Sequence, residues 1–268
     1  MSNSKVADSK NPSNHDEMIL FTSPIDRMNL VGGTTASIIM GQNPWNTVKQ
    51  LDDYYLEGIQ YFNPNRFAEW GLRLEDVVGI KYADGKDGLV IDPVAIAESG
   101  CLPGHQVVDQ AQPWLVGSPD RLFVPSTHRY GTHPCPKEMR LQMAPRSSEA
   151  FFLSGVGYGV EIKTSYYFSK RKWEKQGVPV NYQIQCQFYM AITGLKRWDL
   201  AIYHGGTAEY DEYKLEADPL QIMDIRKQCA DYVQKIKKLR AENGYDNKNE
   251  TVPAPAETGA DGVPGGND

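Results

Sequence analysis

Val116-Gly117-Ser118-Pro119-Asp120-Arg121, answered about forty residues later by Gly159-Val160-Glu161-Ile162-Lys163-Thr164, is the pair of stretches whose reading decides the fold. Both read as strands: apolar and β-branched residues bounded by glycine and proline. Alternation along a strand sends Glu161 and Lys163 to one face and Val160 and Ile162 into an apolar core on the other. A carboxylate beside a lysine, with a second carboxylate (Asp120) from a neighbouring strand, is what phosphodiester hydrolysis needs. Two acids hold Mg²⁺ through hard oxygen ligands. The metal activates a water and screens the charge on phosphorus, and the ammonium orients the nucleophile or stabilises the pentavalent state. The backbone carbonyl of Ile162 would supply another ligand.

The acid-any-lysine spacing is weak by itself, because it recurs at Asp8/Lys10, Asp84/Lys86, Glu212/Lys214 and Asp246/Lys248. Context singles out Glu161/Lys163: a β-rich apolar setting, the upstream Ser-Pro-Asp, and a glutamine-rich helical pattern downstream.

The chain's 268 residues suffice for one α/β domain with a sizeable core. The expected division is a domain over 18–246, with an insertion loop at about 125–154. The polar residues 1–17 and the Pro-, Gly- and acid-rich 247–268 cannot bury enough apolar area to order, and are expected to be disordered tails. With no apolar run of membrane-spanning length and no signal-like N-terminus, a soluble, cytoplasmic protein is expected. Cys101, Cys135, Cys186 and Cys229 include no Cys-x-x-Cys pair. Their scatter suits reduced thiols, and lacks the close spacing of a zinc knuckle or an iron–sulfur cluster. His128, His133 and Cys135 likewise lack a fourth ligand at a zinc-site interval. A net charge of −6 is unusual for a DNA-binding protein, but Lys170, Arg171, Lys172 and Lys175 follow the Glu161 strand closely. They would form a basic rim beside a carboxylate-lined site.

Gly32-Gly33 opens a helix ending at Gly41, where Thr34, Thr35 and Ser37 would either bind phosphate or cap the helix. Helices are also expected over 47–56, from Pro64-Asn65 onward, over 181–194 and over 219–242. In the second of these, Phe67, Trp70, Leu74 and Val77 form an apolar stripe, while Gly71, Glu75 and Gly79 form a narrow one along which another element can approach Glu75. Short strands are expected at 89–91, 106–108 and 114–124, then at 197–204 and 209–215, with 125–154 an irregular connection. Gln183, Gln185 and Gln187 alternate with apolar residues in a buried-looking helix, a costly arrangement unless their amides find partners, as they would at an active site.

Gly-Gly-Thr-Thr-Ala-Ser, Trp70-Gly71, Glu75, Ser118-Pro119-Asp120, Glu161-Ile162-Lys163, Gln183-Ile184-Gln185, Thr193-Gly194 and Trp198-Asp199, in that order, resemble the lambda-exonuclease-like, YqaJ-type viral recombinase branch of the PD-(D/E)xK nucleases. The resemblance spans about 26–242. It implies an α/β fold with a restriction-endonuclease-like core, a central mixed sheet flanked by helices. It further implies a 5′-to-3′ exonuclease acting on linear double-stranded DNA ends, leaving 3′ single strands for a single-strand annealing protein, with two Mg²⁺ per site (Mn²⁺ substituting) and a homotrimeric ring. Carried over by motif, Asp120 and Glu161 would ligate metal with the Ile162 carbonyl. Lys163 would position the attacking water, Glu75 would assist the second metal, and Gln183 would support the cluster. Thr35, Ser37 and Arg27 would receive a 5′-phosphate, although Arg27 stands ten residues before Ser37, out of the family's register. The interval from Asp120 to Glu161 is also much longer than the family's tight hairpin, which makes the 125–154 loop an addition. The alternatives are an endonuclease or repair nuclease on the same core, and an inactive DNA-binding module.

Overall fold

The computed structural model describes residues 19–22, 30–60, 66–98, 105–126, 145–147, 150–153 and 155–244. In chain order these form β1 (Ile19–Thr22), α1 (Gly33–Ile39), α2 (Val48–Glu57), α3 (Arg66–Ala83), β2 (Gly88–Ile91), α4 (Pro93–Glu98), β3 (Gln106–Val108), β4 (Val116–Gly117), β5 (Arg121–Pro125), β6 (Pro145–Ser147), β7 (Ala150–Leu153), β8 (Tyr158–Tyr166), α5 (Tyr167–Gln176), α6 (Val180–Thr193), β9 (Arg197–Gly205), β10 (Glu209–Glu216) and α7 (Pro219–Asn243). The helix ends follow local chemistry. Thr47 and Gln50 close a capping box on α2, Asp218 accepts the N–H groups of Leu220 and Gln221 ahead of α7, and Gly194 ends α6 in the left-handed conformation.

The strand carrying Glu161 is the middle of a mixed sheet ordered β10-β9-β8-β5-β2. β8 and β9 run parallel, as the crossover through α5 and α6 between them requires, and the other pairs are antiparallel. A Cβ at Gly159 would stand 2.3 Å from the Trp198 ring, so only glycine lets that indole lie across β8. A second, antiparallel sheet is ordered β4-β3-β1-β7-β6. Two of its strands, β6 and β7, fall in the segment expected to be irregular. Ala150-Phe151-Phe152-Leu153 finds its partner in β1, some 130 residues earlier, a pairing no local pattern announces. α4 was likewise not expected.

α6 is the core helix. Ile184, Cys186, Phe188 and Met190 are buried with Leu122, Val107, Trp198 and the α7 residues Ile225 and Cys229. α3 covers the opposite face of the mixed sheet, where Val78 and Tyr82 pack on Val160, Ile162 and Ala201, and the Tyr82 hydroxyl donates to Asp199 Oδ2 at 2.6 Å. Its buried side is therefore the Gly71, Glu75, Val78, Gly79, Tyr82 side. The expected apolar stripe is corrected: Trp70 and Val77 are exposed, and the Phe67 side chain lies outside the described residues. Cβ atoms at Gly71 and Gly79 would lie 3.2 Å from Thr164 Oγ1 and 2.8 Å from Arg121 Nε, so bulkier residues would hold the helix off the sheet. Among the described residues no helix is long and apolar enough to cross a membrane.

Candidate active site at the open edge of β8

β5 pairs with β8 at three positions, Arg121↔Val160, Leu122↔Gly159 and Phe123↔Tyr158. Beyond Val160 the ladder stops, because Ser118-Pro119-Asp120 breaks the strand and proline has no N–H to offer. The Asp120 side chain takes over: the Ile162 N–H donates to Asp120 Oδ2 at 2.7 Å. The N–H and C=O of a strand residue point to the same side, so the Ile162 carbonyl faces that edge too. Glu161 is 1 % exposed; Oε1 pairs with Lys163 Nζ, and Oε2 is buried with no hydrogen-bond partner among the described residues. A buried carboxylate oxygen left unsatisfied is rare and costly. Hard oxygens of Glu161 and Asp120 beside a backbone carbonyl are the donor set a divalent cation takes.

Burial, then Asp120, push the Glu161 carboxyl up to about 8, with Lys163 opposing. Burial likewise raises Asp120, against the pull of Lys163, the Ile162 N–H and Arg121. Glu75 is pushed up to about 7 by burial and then by Asp120, with Arg121 and Lys163 opposing. Burial is the leading cause at all three acids, and the nearby Asp120 charge adds to it at Glu75 and Glu161. The Lys163 pKa is also raised, burial being outweighed by Glu161 and Asp120, so the ammonium stays charged. Among the described residues no three acids, histidines or cysteines already stand around one point. Asp120, Glu161 and the Ile162 carbonyl share this edge, while Glu75 is paired with Arg121 at 3.3 Å.

Arg121 was missed by sequence reading. Its guanidinium, 7 % exposed, pairs with Glu75 (3.3 Å), Asp76 (2.6 Å) and Asp92 (3.3 Å), and it donates to the Asp120 carbonyl at 2.5 Å. It fixes the backbone of Asp120 and the reach of Glu75 together. The available signal was an arginine directly after the acid in an otherwise apolar strand. Tyr182 was missed as well; Lys163 Nζ lies 5.7 Å from its ring centre.

The glutamines are corrected. Gln183 Nε2 donates to the Val178 carbonyl at 2.6 Å, pinning the start of α6, and no described bond joins it to the acids. Gln187 donates to Glu216 O and accepts from Asp218 N, tying α6 to the entry of α7. Gln185 packs against Gly33, where a Cβ would stand 2.8 Å from its Cγ, and its side chain hydrogen-bonds Tyr189, which feels the charges of Glu161 and Asp120.

Ser37 is buried, donating to Thr34 O at 2.7 Å and accepting from Asn43 Nδ2 at 3.0 Å; Thr35 is half-buried. The N-cap is Gly32, with no side-chain cap, so capping is not what these hydroxyls do. Arg171 is exposed on α5. Arg27, the side chains of Lys170 and Lys172, and His128, His133 and Cys135 lie outside the described residues. Cys186 and Cys229 are buried free thiols.

A carboxyl whose pKa is raised on folding binds its proton more tightly in the folded chain than in the unfolded one. Stability is then greatest below the unfolded value and falls as pH rises through the folded value. For Glu161 the window runs from 4.5 to about 8. The metal-free protein is expected to melt at a lower temperature at pH 8 than at pH 5.5, with Glu161→Gln flattening that slope. Mg²⁺ should restore the melting temperature at pH 8 in the wild type far more than in the variant. A wild-type melting temperature that is flat or rising over this range would contradict the assignment.

The sequence matches the model of the YqaJ-like viral recombinase domain over residues 25–196. No curated protein matches it. Among solved structures, the fold is similar to an alkaline exonuclease, LHK-Exo from Laribacter hongkongensis (17% identity, TM-score 0.57, 84% of this chain and 96% of that one). LHK-Exo solved in complex with dAMP gives 19% identity and a TM-score of 0.55, over 81% of this chain and 95% of that one. A phage-related exonuclease from Haemophilus somnus 129PT gives 12% and 0.50, over 80% and 96%. These likenesses establish the nuclease-type α/β fold with its central mixed sheet. The family match covers well over half of the chain and includes Glu75, Asp120, Glu161 and Lys163, and the chain belongs to the YqaJ-like viral recombinase family.

Proposed function

We propose that this protein is a divalent-metal-dependent nuclease that digests one strand of linear double-stranded DNA from its 5′ end, leaving a 3′ single strand for an annealing protein. The observation that carries the reading is the buried, unpartnered Oε2 of Glu161 at the edge where Asp120 holds the Ile162 N–H. When bound there, Mg²⁺ or Mn²⁺ would act as a Lewis acid on the phosphate oxygens and lower the pKa of a bound water. Asp120 and Glu161, with the Ile162 carbonyl, would hold the cation. Lys163, kept charged by its two acids, would aim the attacking oxygen and offset charge developing on phosphorus. Arg121 keeps Glu75 from collapsing onto the site, so that Glu75 is free to assist once charge at the centre changes.

The family resemblance and the exonuclease names of the structural neighbours support action at ends. The same resemblance carries the homotrimer, the annealing partner and a 5′-phosphate contact at Thr35, Ser37 and Arg27. The test uses end-labelled linear duplex and a covalently closed circle, with Mg²⁺ or with chelator. Loss of 5′ label as mononucleotide from the linear substrate only, in Mg²⁺ only, and faster from phosphorylated than hydroxyl ends, is the expected result. Cleavage of the circle would make the protein an endonuclease, and release of 3′ label first would reverse the polarity.

A further inference from the structure

Trp45 and Trp70 are the exposed tryptophans among the described residues, and Trp45, at 65 %, is the one in contact with the aromatic wall of the acid site. It is not on a loose loop. Asn43 Oδ1 accepts the N–H groups of Trp45 (3.0 Å) and Asn46 (2.9 Å), and Asn43 Nδ2 donates to the buried Ser37 hydroxyl, so the turn is fastened to α1 and holds the indole outward. The Trp45 ring centre lies 6.3 Å from that of Tyr182 at 43°. At that tilt the two rings do not stack on each other, and the indole face is left for another ring. Tyr182 is held edge-on by Trp173 at 5.7 Å, and Lys163 Nζ stands 5.7 Å from its centre. The partly buried Tyr182 ring therefore joins the ammonium of the acid site to the exposed Trp45 indole.

We propose that Trp45, backed by Tyr182, forms a stacking platform for a nucleobase of the strand being cut, holding the nucleotide next to the scissile phosphate in register with Glu161 and Lys163. The inference rests on the nuclease reading and names residues that reading does not use. A nucleobase fits for three reasons. Aromatic faces accept any base, as an enzyme that degrades arbitrary sequence requires. The platform begins beside the group that would meet the phosphate. Nucleotides advance about 3.4 Å each along one strand, so Tyr182 and Trp45 lie within a few nucleotides of that phosphate. The rival occupant of an exposed, rigidly held tryptophan is a protein partner.

The test compares wild type, Trp45→Ala and Trp45→Phe on linear duplexes carrying either normal bases or abasic sites in the terminal nucleotides. Loss of one base–aromatic contact should lower kcat/KM roughly tenfold in Trp45→Ala on the normal duplex. The wild type should lose a similar factor on the abasic duplex, Trp45→Ala should be indifferent to the missing bases, and Trp45→Phe should recover most of the loss. Wild-type kcat/KM in Trp45→Ala, which is also the result if the indole serves a protein partner, overturns the platform, as does a variant still fully sensitive to abasic sites. Fluorescence anisotropy of a labelled single-stranded oligonucleotide in Ca²⁺ separates the two readings. A wild type that binds in Ca²⁺ but does not cleave in Mg²⁺ defeats the nuclease reading, and its affinity against that of Trp45→Ala then decides the platform alone. A wild type that neither binds nor cleaves defeats both.

Discussion

Asp120→Ala, Glu161→Ala and Lys163→Ala are each expected to reduce nuclease turnover by about a hundredfold or more, because each group acts on charge that develops in the transition state, where one lost interaction typically costs a few kcal/mol. The three should differ in the folded state. Glu161→Ala removes a buried oxygen with no described partner together with the partner of Lys163, so the metal-free variant should lose the fall in stability between pH 5.5 and pH 8 that the wild type shows. Asp120→Ala strands the Ile162 N–H that the carboxylate accepts and should cost stability. Lys163→Ala leaves Glu161 and Asp120 without their shared cation, and its metal-free melting temperature should fall most steeply as pH rises. Steady-state rates with Mg²⁺, read beside near-ultraviolet circular dichroism of each variant, check both halves. Near-wild-type turnover in any of the three would remove that residue from the site.

Arg121→Met should be among the most destabilising single changes in the chain, although sequence patterning gave Arg121 no role. The guanidinium is buried between Glu75 and Asp92, each about three-quarters buried, while Asp76 remains largely in water. Removing one partner of a buried ion pair leaves the other charge uncompensated. The cost here is expected to be about 3 kcal/mol, at the low end of the usual range because Asp76 stays hydrated. Activity should also fall, since the same side chain ties down the Asp120 carbonyl and restrains Glu75. Urea unfolding with Mg²⁺ absent isolates the stability part. An unchanged midpoint would mean that the carboxylates around Arg121 are solvated well enough to do without it.

The contrast between these two predictions follows from where information about each residue resides. Glu161, Lys163, Val160 and Ile162 were placed on opposite faces by the two-residue period of a strand, a property of the backbone that needs no partner. The same local logic marked α2, α6, β9, β10 and α7 within a residue or two, since caps such as Thr47 and Asp218 and the stop at Gly194 act on neighbours in the chain. Glycines 71 and 79 announced a close approach, though not what approaches. Only the folded chain supplied that answer, Arg121 and Thr164. The same limit explains the exposed Trp70 and Val77: α3 has two apolar stripes, and which one is buried depends on the small-residue side that fits the sheet. It explains the glutamines as well, whose partners at Val178, Glu216 and Asp218 are backbone groups brought near by helix packing. It also explains β6 and β7, whose pairing to β1 joins segments some 130 residues apart. The sequence by itself determined which face of β8 bears Glu161 and Lys163 and where several helices begin and end, because strand alternation and capping are short-range. Tertiary structure alone decided that Glu161 is buried with an unpaired oxygen, that Asp120 replaces a missing ladder bond, and that Arg121 restrains Glu75, because burial and long-range charge pairing exist only once distant segments have been packed together.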